Sequence, residues 1–77
     1  RHLAANGATF GGILIAARIA VAARMLESRL FKRVTTAEIG RRAGFVDPSH
    51  FSRAFARAMG RTPLKFRREL HGTTLDD

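Results

Sequence analysis

From Phe10 onward apolar residues return at intervals of three and four: Phe10, Leu14, Ile15, Ile19, Ala22 and Leu26. Such spacing keeps one side of a 3.6-residue helix apolar. It predicts a helix that begins after Thr9 as N-cap and runs to about Glu27. Ile13, Ala17, Val21 and Met25 widen the stripe until the helix is apolar on more than one side. A helix of that kind packs against more than one partner, and the rest of the chain offers few. Something beyond these residues is expected to cover it.

The pattern then shortens. Thr35-Thr36-Ala37-Glu38 is a capping box, in which the Thr35 hydroxyl accepts from the Glu38 backbone and the Glu38 carboxylate reaches back, while Val34 staples onto Ile39. This helix is short, ending at Ala43 with Gly44 as C-cap. Asp47 is the next N-cap, with Pro48 at the first helical position, and predicts a helix over Pro48–Met59. Phe51, Phe55, Ala58 and Met59 form its expected inward face; Ser49, Ser52, Arg53, Ala56 and Arg57 turn outward. Gly60 closes it, and Thr62-Pro63 opens a last helix, Pro63–Leu70, with Leu64 and Phe66 as core anchors. Residues 1–6 read as the stub of an earlier helix ended by Gly7, and residues 72–77 as a disordered tail. The expected fold is all-α: a small helical domain with a long linker helix and a homeodomain-like three-helix module.

Composition narrows the function classes. Seventy-seven residues allow one domain, and of the 45% that are hydrophobic thirteen residues are alanine. A core this thin rarely leaves more than about 3–5 kcal/mol of net stability. No cysteine is present, so there is no disulfide framework or thiolate site, and three scattered histidines build no closed zinc site. Neither metal nor cofactor is expected, and a reducing compartment such as the cytoplasm fits. The apolar run over residues 13–23 is broken by Arg18 and falls short of the ~20 residues of a membrane span. No signal peptide is legible, and a first residue that is Arg1 rather than methionine reads as a fragment.

Fourteen Lys and Arg against six Asp and Glu give a net charge of +8. The default partner is therefore a polyanion, nucleic acid before an acidic membrane. Twelve of the fourteen cations are arginine, whose planar fork matches phosphate and guanine oxygens. Asp47, Ser49 and His50 invite a triad reading. Near-consecutive residues on one helical turn point in different directions, however, and Asp47 is already a cap. No glycine-rich phosphate loop or paired catalytic carboxylates occur, so an enzyme is not expected.

Two short helices joined by a glycine-containing turn, the second opening in small polar residues and carrying arginine outward, form the pattern of a helix-turn-helix. Purely structural helix hairpins share that length. The literal residues go further. Glu38-Ile39-Gly40, Ala43-Gly44-Phe45, Asp47-Pro48-Ser49-His50-Phe51-Ser52-Arg53-Ala54-Phe55 and Gly60-Arg61-Thr62-Pro63-Leu64-Lys65-Phe66-Arg67 closely resemble the second helix-turn-helix of the AraC/XylS family of bacterial transcription regulators. Upstream, residues 7–10, Leu14, Arg18-Ile19, Ala22 and Met25-Leu26 resemble the end of that family's first helix-turn-helix and the helix linking the two. On this resemblance residues 1–8 are a remnant of the first module, 9–33 the linker helix and loop, 34–71 the second module with its closing helix. Gly40 departs from the family's usual alanine, at ~1 kcal/mol of helix propensity, and Phe66 from its usual tyrosine, which removes a hydroxyl.

The resemblance implies a sequence-specific DNA-binding module of a cytoplasmic bacterial activator, with residues 48–59 entering the major groove N-terminus first. Pro48, Ser49, Ser52 and Arg53 would touch base edges, Pro48 by van der Waals contact alone. For Arg53 the alternatives are a phosphate or a salt bridge to Glu38. His50, Arg57, Arg61, Lys65, Arg67 and Arg68 are phosphate candidates, with backbone N–H groups at Thr36 and Leu64. Arg67 and Arg68 have a plainer alternative, an exposed face with one of them paired to Glu69. Arg18, Arg24, Arg41 and Arg42 are expected to split between solvent and the missing module. The implied partners are double-stranded promoter or operator DNA, RNA polymerase and a missing N-terminal effector and dimerisation domain. The uncovered apolar face also predicts self-association. The rival reading is a basic helical protein- or membrane-interaction module without sequence-specific DNA binding.

Overall fold

The computed structural model describes residues 10–71. Among them lie four α-helices and one 3₁₀ turn: α1 (Phe10–Glu27), the turn Arg29–Phe31, α2 (Thr36–Arg42), α3 (Pro48–Met59) and α4 (Pro63–Leu70). No strand occurs among the described residues, and the fold is all-α as expected. The expected stub over residues 1–6, Gly7, the Thr9 cap and the tail over 72–77 lie outside the described residues.

Local chemistry sets each helix start. Thr35 accepts from the Glu38 N–H at 3.1 Å, Asp47 from the Ser49 N–H at 3.0 Å and Thr62 from the Lys65 N–H at 3.2 Å. Proline follows the cap in α3 and α4, where its missing N–H costs nothing. The capping box of α2 is only half made. The Glu38 carboxylate does not reach back but turns along the helix to Arg42, at 3.2 Å, and Arg41, at 3.7 Å, because these cations lie three and four residues on. α2 ends at Arg42 with Ala43 as C-cap, one residue earlier than expected, and Gly44 follows at φ +114°, a conformation that L side chains rarely adopt.

The core gathers Ile19, Ala22, Ala23 and Leu26 of α1, Ile39 and Ala43, Phe45 of the turn, Phe51 and Phe55 of α3, and Phe66 of α4. Four phenylalanines run through it as one line. Phe45 meets Phe51 at 5.1 Å, Phe51 meets Phe55 at 5.8 Å and Phe55 meets Phe66 at 5.2 Å, all tilted or edge-on. Each such pair adds about 0.5–1.5 kcal/mol beyond the area it buries. Gly40 explains how the line fits: a Cβ there would overlap the Phe51 ring. The departure from alanine thus makes room for an aromatic, beyond its effect on helix propensity.

Two expected inward residues are exposed. Ala58 flanks α1 and stays open, while half-buried Ala54 packs against the core instead. Leu64 is 46% exposed because Pro63 and Phe66, three residues apart, take the buried side of α4 and leave Leu64 about 100° away. The C-terminal half of α1 is buried against the other helices; in its N-terminal half Ile13 and Leu14 remain more than a third exposed, as does Val21 further on.

Candidate nucleic-acid interface

Burying Phe51 and Phe55 fixes the rotation of α3, and rotation decides which residues face out. Ser49, Arg53 and Arg57, spaced by four, are all exposed and form one stripe opposite the phenylalanines. Pro48 is exposed at the first helical position. Ser52 is half-buried, off the stripe by about 100°. No acid occurs within α3, and the adjoining carboxylate, the cap Asp47, is bonded to the Ser49 N–H at the first turn, so the stripe is cationic at Arg53 and Arg57. Neither Arg53 nor Arg57 has an ion-pair partner among the described residues; the alternative bridge from Arg53 to Glu38 is not made, since Glu38 is held by Arg41 and Arg42.

His50 stands edge-on to Phe45, with ring centroids 5.4 Å apart, which holds an exposed imidazole at the rim of α3. On the side facing α1, His50, Arg53 and Arg57 line a groove whose floor is Ile15, Ala16, Ile19, Ala54 and Ala58.

The cations of α4 and its approach are placed differently. Arg61 Nε lies 3.1 Å from Glu69 Oε1, so Glu69 takes Arg61 and neither Arg67 nor Arg68. Arg67, expected among the phosphate contacts, is turned inward. Its Nη2 donates to the Phe31 carbonyl at 3.0 Å, and its buried Nε has no hydrogen-bond partner. Burial lowers its pKa from the ordinary arginine value. One turn on, His71 Nε2 lies 2.9 Å from the Leu26 carbonyl near the end of α1. Arg67 and His71 thus tie α4 to α1 and the 3₁₀ turn that follows it. Lys65 and Arg68 remain exposed.

Helix N-termini contribute few free donors. In α4 Pro63 has no N–H, Lys65 gives its own to Thr62 Oγ1 and Phe66 to the Thr62 carbonyl, so the remaining first-turn donor is that of Leu64. In α2 the Glu38 and Ile39 N–H groups are likewise taken by Thr35, and half-buried Thr36 opens the helix. Arg18 did not go to solvent: its side chain lies over Gly44, where a Cβ would come within 2.7 Å of its Nε.

One residue passed over by the sequence reading stands out at the start of α3. Val46 is 93% exposed between buried Phe45 and the cap Asp47. The available signal was an apolar residue in a turn whose neighbour had already taken the buried position.

Among the described residues no helix is long and apolar enough to cross a membrane, and no cluster of His, Cys, Asp or Glu could hold a metal. The helix-turn-helix domain family matches over residues 1–69, and the chain belongs to it, as a fragment of the AraC/XylS-type DNA-binding region. No curated protein and no solved structure matches.

Proposed function

We propose that this DNA-binding helix-turn-helix module of AraC type reads a specific operator by setting α3 into the major groove, N-terminus first. The observation that carries the reading is the two-faced character of α3, with Phe51 and Phe55 buried on one side and Ser49, Arg53 and Arg57 exposed on the other, the helix itself holding no acid and the cap Asp47 bonded to the Ser49 N–H. Arg53, in the middle of that stripe, is the base-reading residue, its guanidinium fork suited to guanine O6 and N7. Ser49 and Pro48 allow close approach, and Ser52 works from the flank. His50, Arg57, Lys65 and Arg68 hold phosphates, with the N–H groups at Thr36 and Leu64; Arg61 joins them once released from Glu69. Arg67 serves the fold instead.

The rest of the regulator follows from the family. Transcription control, as an activator working with RNA polymerase in a bacterial cell, belongs to the whole protein, with its N-terminal effector and dimerisation domain. The exposed Ile13, Leu14 and Val21 of α1 support covering by that part, or self-association in its absence.

The test is a binding selection on randomised duplexes. Arg53→Ala should lose about 1–3 kcal/mol on the best site and relax one or two base positions. Lys65→Ala should weaken all sequences alike and flatten the salt dependence by about one counterion. Unchanged base preferences for Arg53→Ala, with affinity lost uniformly, would remove the reading role from Arg53. Competition by anionic vesicles as strong as by duplex at equal charge concentration would favour the membrane reading instead.

A further inference from the structure

We infer that Val46 is a specificity-determining residue that packs on the 5-methyl group of a thymine; the inference rests on the proposal that α3 reads DNA. Among the described residues only Val46 and Leu30 are large apolar side chains more than half exposed, at 93% and 90%. They differ in what surrounds them. Leu30 lies in the 3₁₀ turn, far along the chain from α3.

Val46 is held out between two fixed neighbours. Phe45 is 3% exposed, sits 5.1 Å from the Phe51 ring and donates its N–H to the Gly40 carbonyl at 2.9 Å. Asp47 is fastened to the Ser49 N–H at 3.0 Å. The backbone on either side of Val46 is therefore pinned while its isopropyl group stays in solvent, and β-branching restricts the one torsion it has left. With Pro48, Arg41, Gly44 and Phe45 it lines a shallow depression at the N-terminal end of α3, the end that leads into the groove. Valine has neither donor nor acceptor. Of the groups that base pairs present in the major groove, the thymine methyl is the apolar one, so it is the partner this side chain fits.

The experiment uses the duplex that the selection favours, with each thymine replaced in turn by uracil, which removes the methyl group and nothing else. Native protein should lose about fourfold in affinity at one position, the worth of one buried methyl group. Val46→Ala should bind thymine and uracil duplexes alike at that position and match the native protein on the uracil duplex. Discrimination retained by Val46→Ala, or lost by Pro48→Ala and not by Val46→Ala, overturns the assignment. So does a native protein that selects a site yet distinguishes no thymine from uracil. A native protein that selects no site at all overturns the DNA-reading premise, and Val46 with it.

Discussion

Helices α3 and α4 begin alike and end in different work. Each opens with a polar cap followed by proline, and each sends two arginines from a short amphipathic stretch. In α3 Arg53 and Arg57 stand on an exposed face without a carboxylate. Around α4 two of the four cations are engaged, Arg61 with Glu69 and Arg67 with the Phe31 carbonyl, while Lys65 and Arg68 stay exposed. The lesson is that charge count does not locate a reading surface. An arginine held by a carboxylate or a carbonyl must give up that contact before it can meet DNA, whereas an arginine on an uncommitted face pays little to reorganise. Substitutions on the open face of α3 should therefore change DNA binding with little effect on stability, and those that touch α4 should change stability or non-specific affinity.

The largest effect is expected where α3 is seated. Gly40→Ala puts a methyl group into the Phe51 ring, which Phe45 and Phe55 hold from either side. With three atoms of the Phe51 ring overlapping the new Cβ, overpacking reaches the upper end of its usual range, about 3 kcal/mol, against ~1 kcal/mol gained in helix propensity. The expected outcome is net destabilisation in denaturant titration, together with blurred base preference as α3 rotates or shifts. A variant as stable as the native chain would mean that the ring moves aside at no cost, and that α3 is seated by other contacts.

Next in size is Arg67→Ala, which removes the bond to Phe31 and the packing of the stem. About 1–2 kcal/mol of stability should go, since a charged donor is lost, although the Phe31 carbonyl keeps the Val34 N–H at 2.9 Å. Arg57→Ala, on the open face of α3, should leave the melting temperature within experimental scatter and weaken DNA binding. Equal melting temperatures for the two variants would erase the distinction between the helices.

The punctuation of the fold was legible because it is local. Thr35, Asp47 and Thr62 each cap a helix through an N–H two or three residues away, so the signal and its cause lie in one short stretch. The stripe of Ser49, Arg53 and Arg57 followed from the same periodicity, once the phenylalanines were taken as inward. Arg67 was not legible, because its partner carbonyl lies 36 residues away and nothing in Phe66-Arg67-Arg68 tells the inward arginine from the outward one. Leu64 and Ala58 misled for a related reason: a short helix has too few turns to fix its buried side when alanine or proline can occupy it. Gly40 read as a propensity loss because its compensation, the Phe51 ring, arrives from the next helix.

The smallest effect separates the helices most cleanly. Glu69→Gln breaks the ion pair with Arg61, whose two side chains are each 45% exposed. Pairs this exposed contribute about 0–1 kcal/mol, so the melting temperature should barely move. DNA binding should respond in the opposite sense to most surface changes. The freed Arg61 gains a phosphate, and a carboxylate that repelled the backbone disappears. Affinity should therefore rise a few-fold at low salt, and log K should fall more steeply with log salt by about one unit. Base preference should stay as it is, because Arg61 lies beyond Gly60, past the end of α3. Anisotropy titrations of a selected and a scrambled duplex over a salt series measure all three quantities together. A gain confined to the selected duplex would place Arg61 among the base-reading residues, and an unchanged salt slope would show that Glu69 does not restrain it.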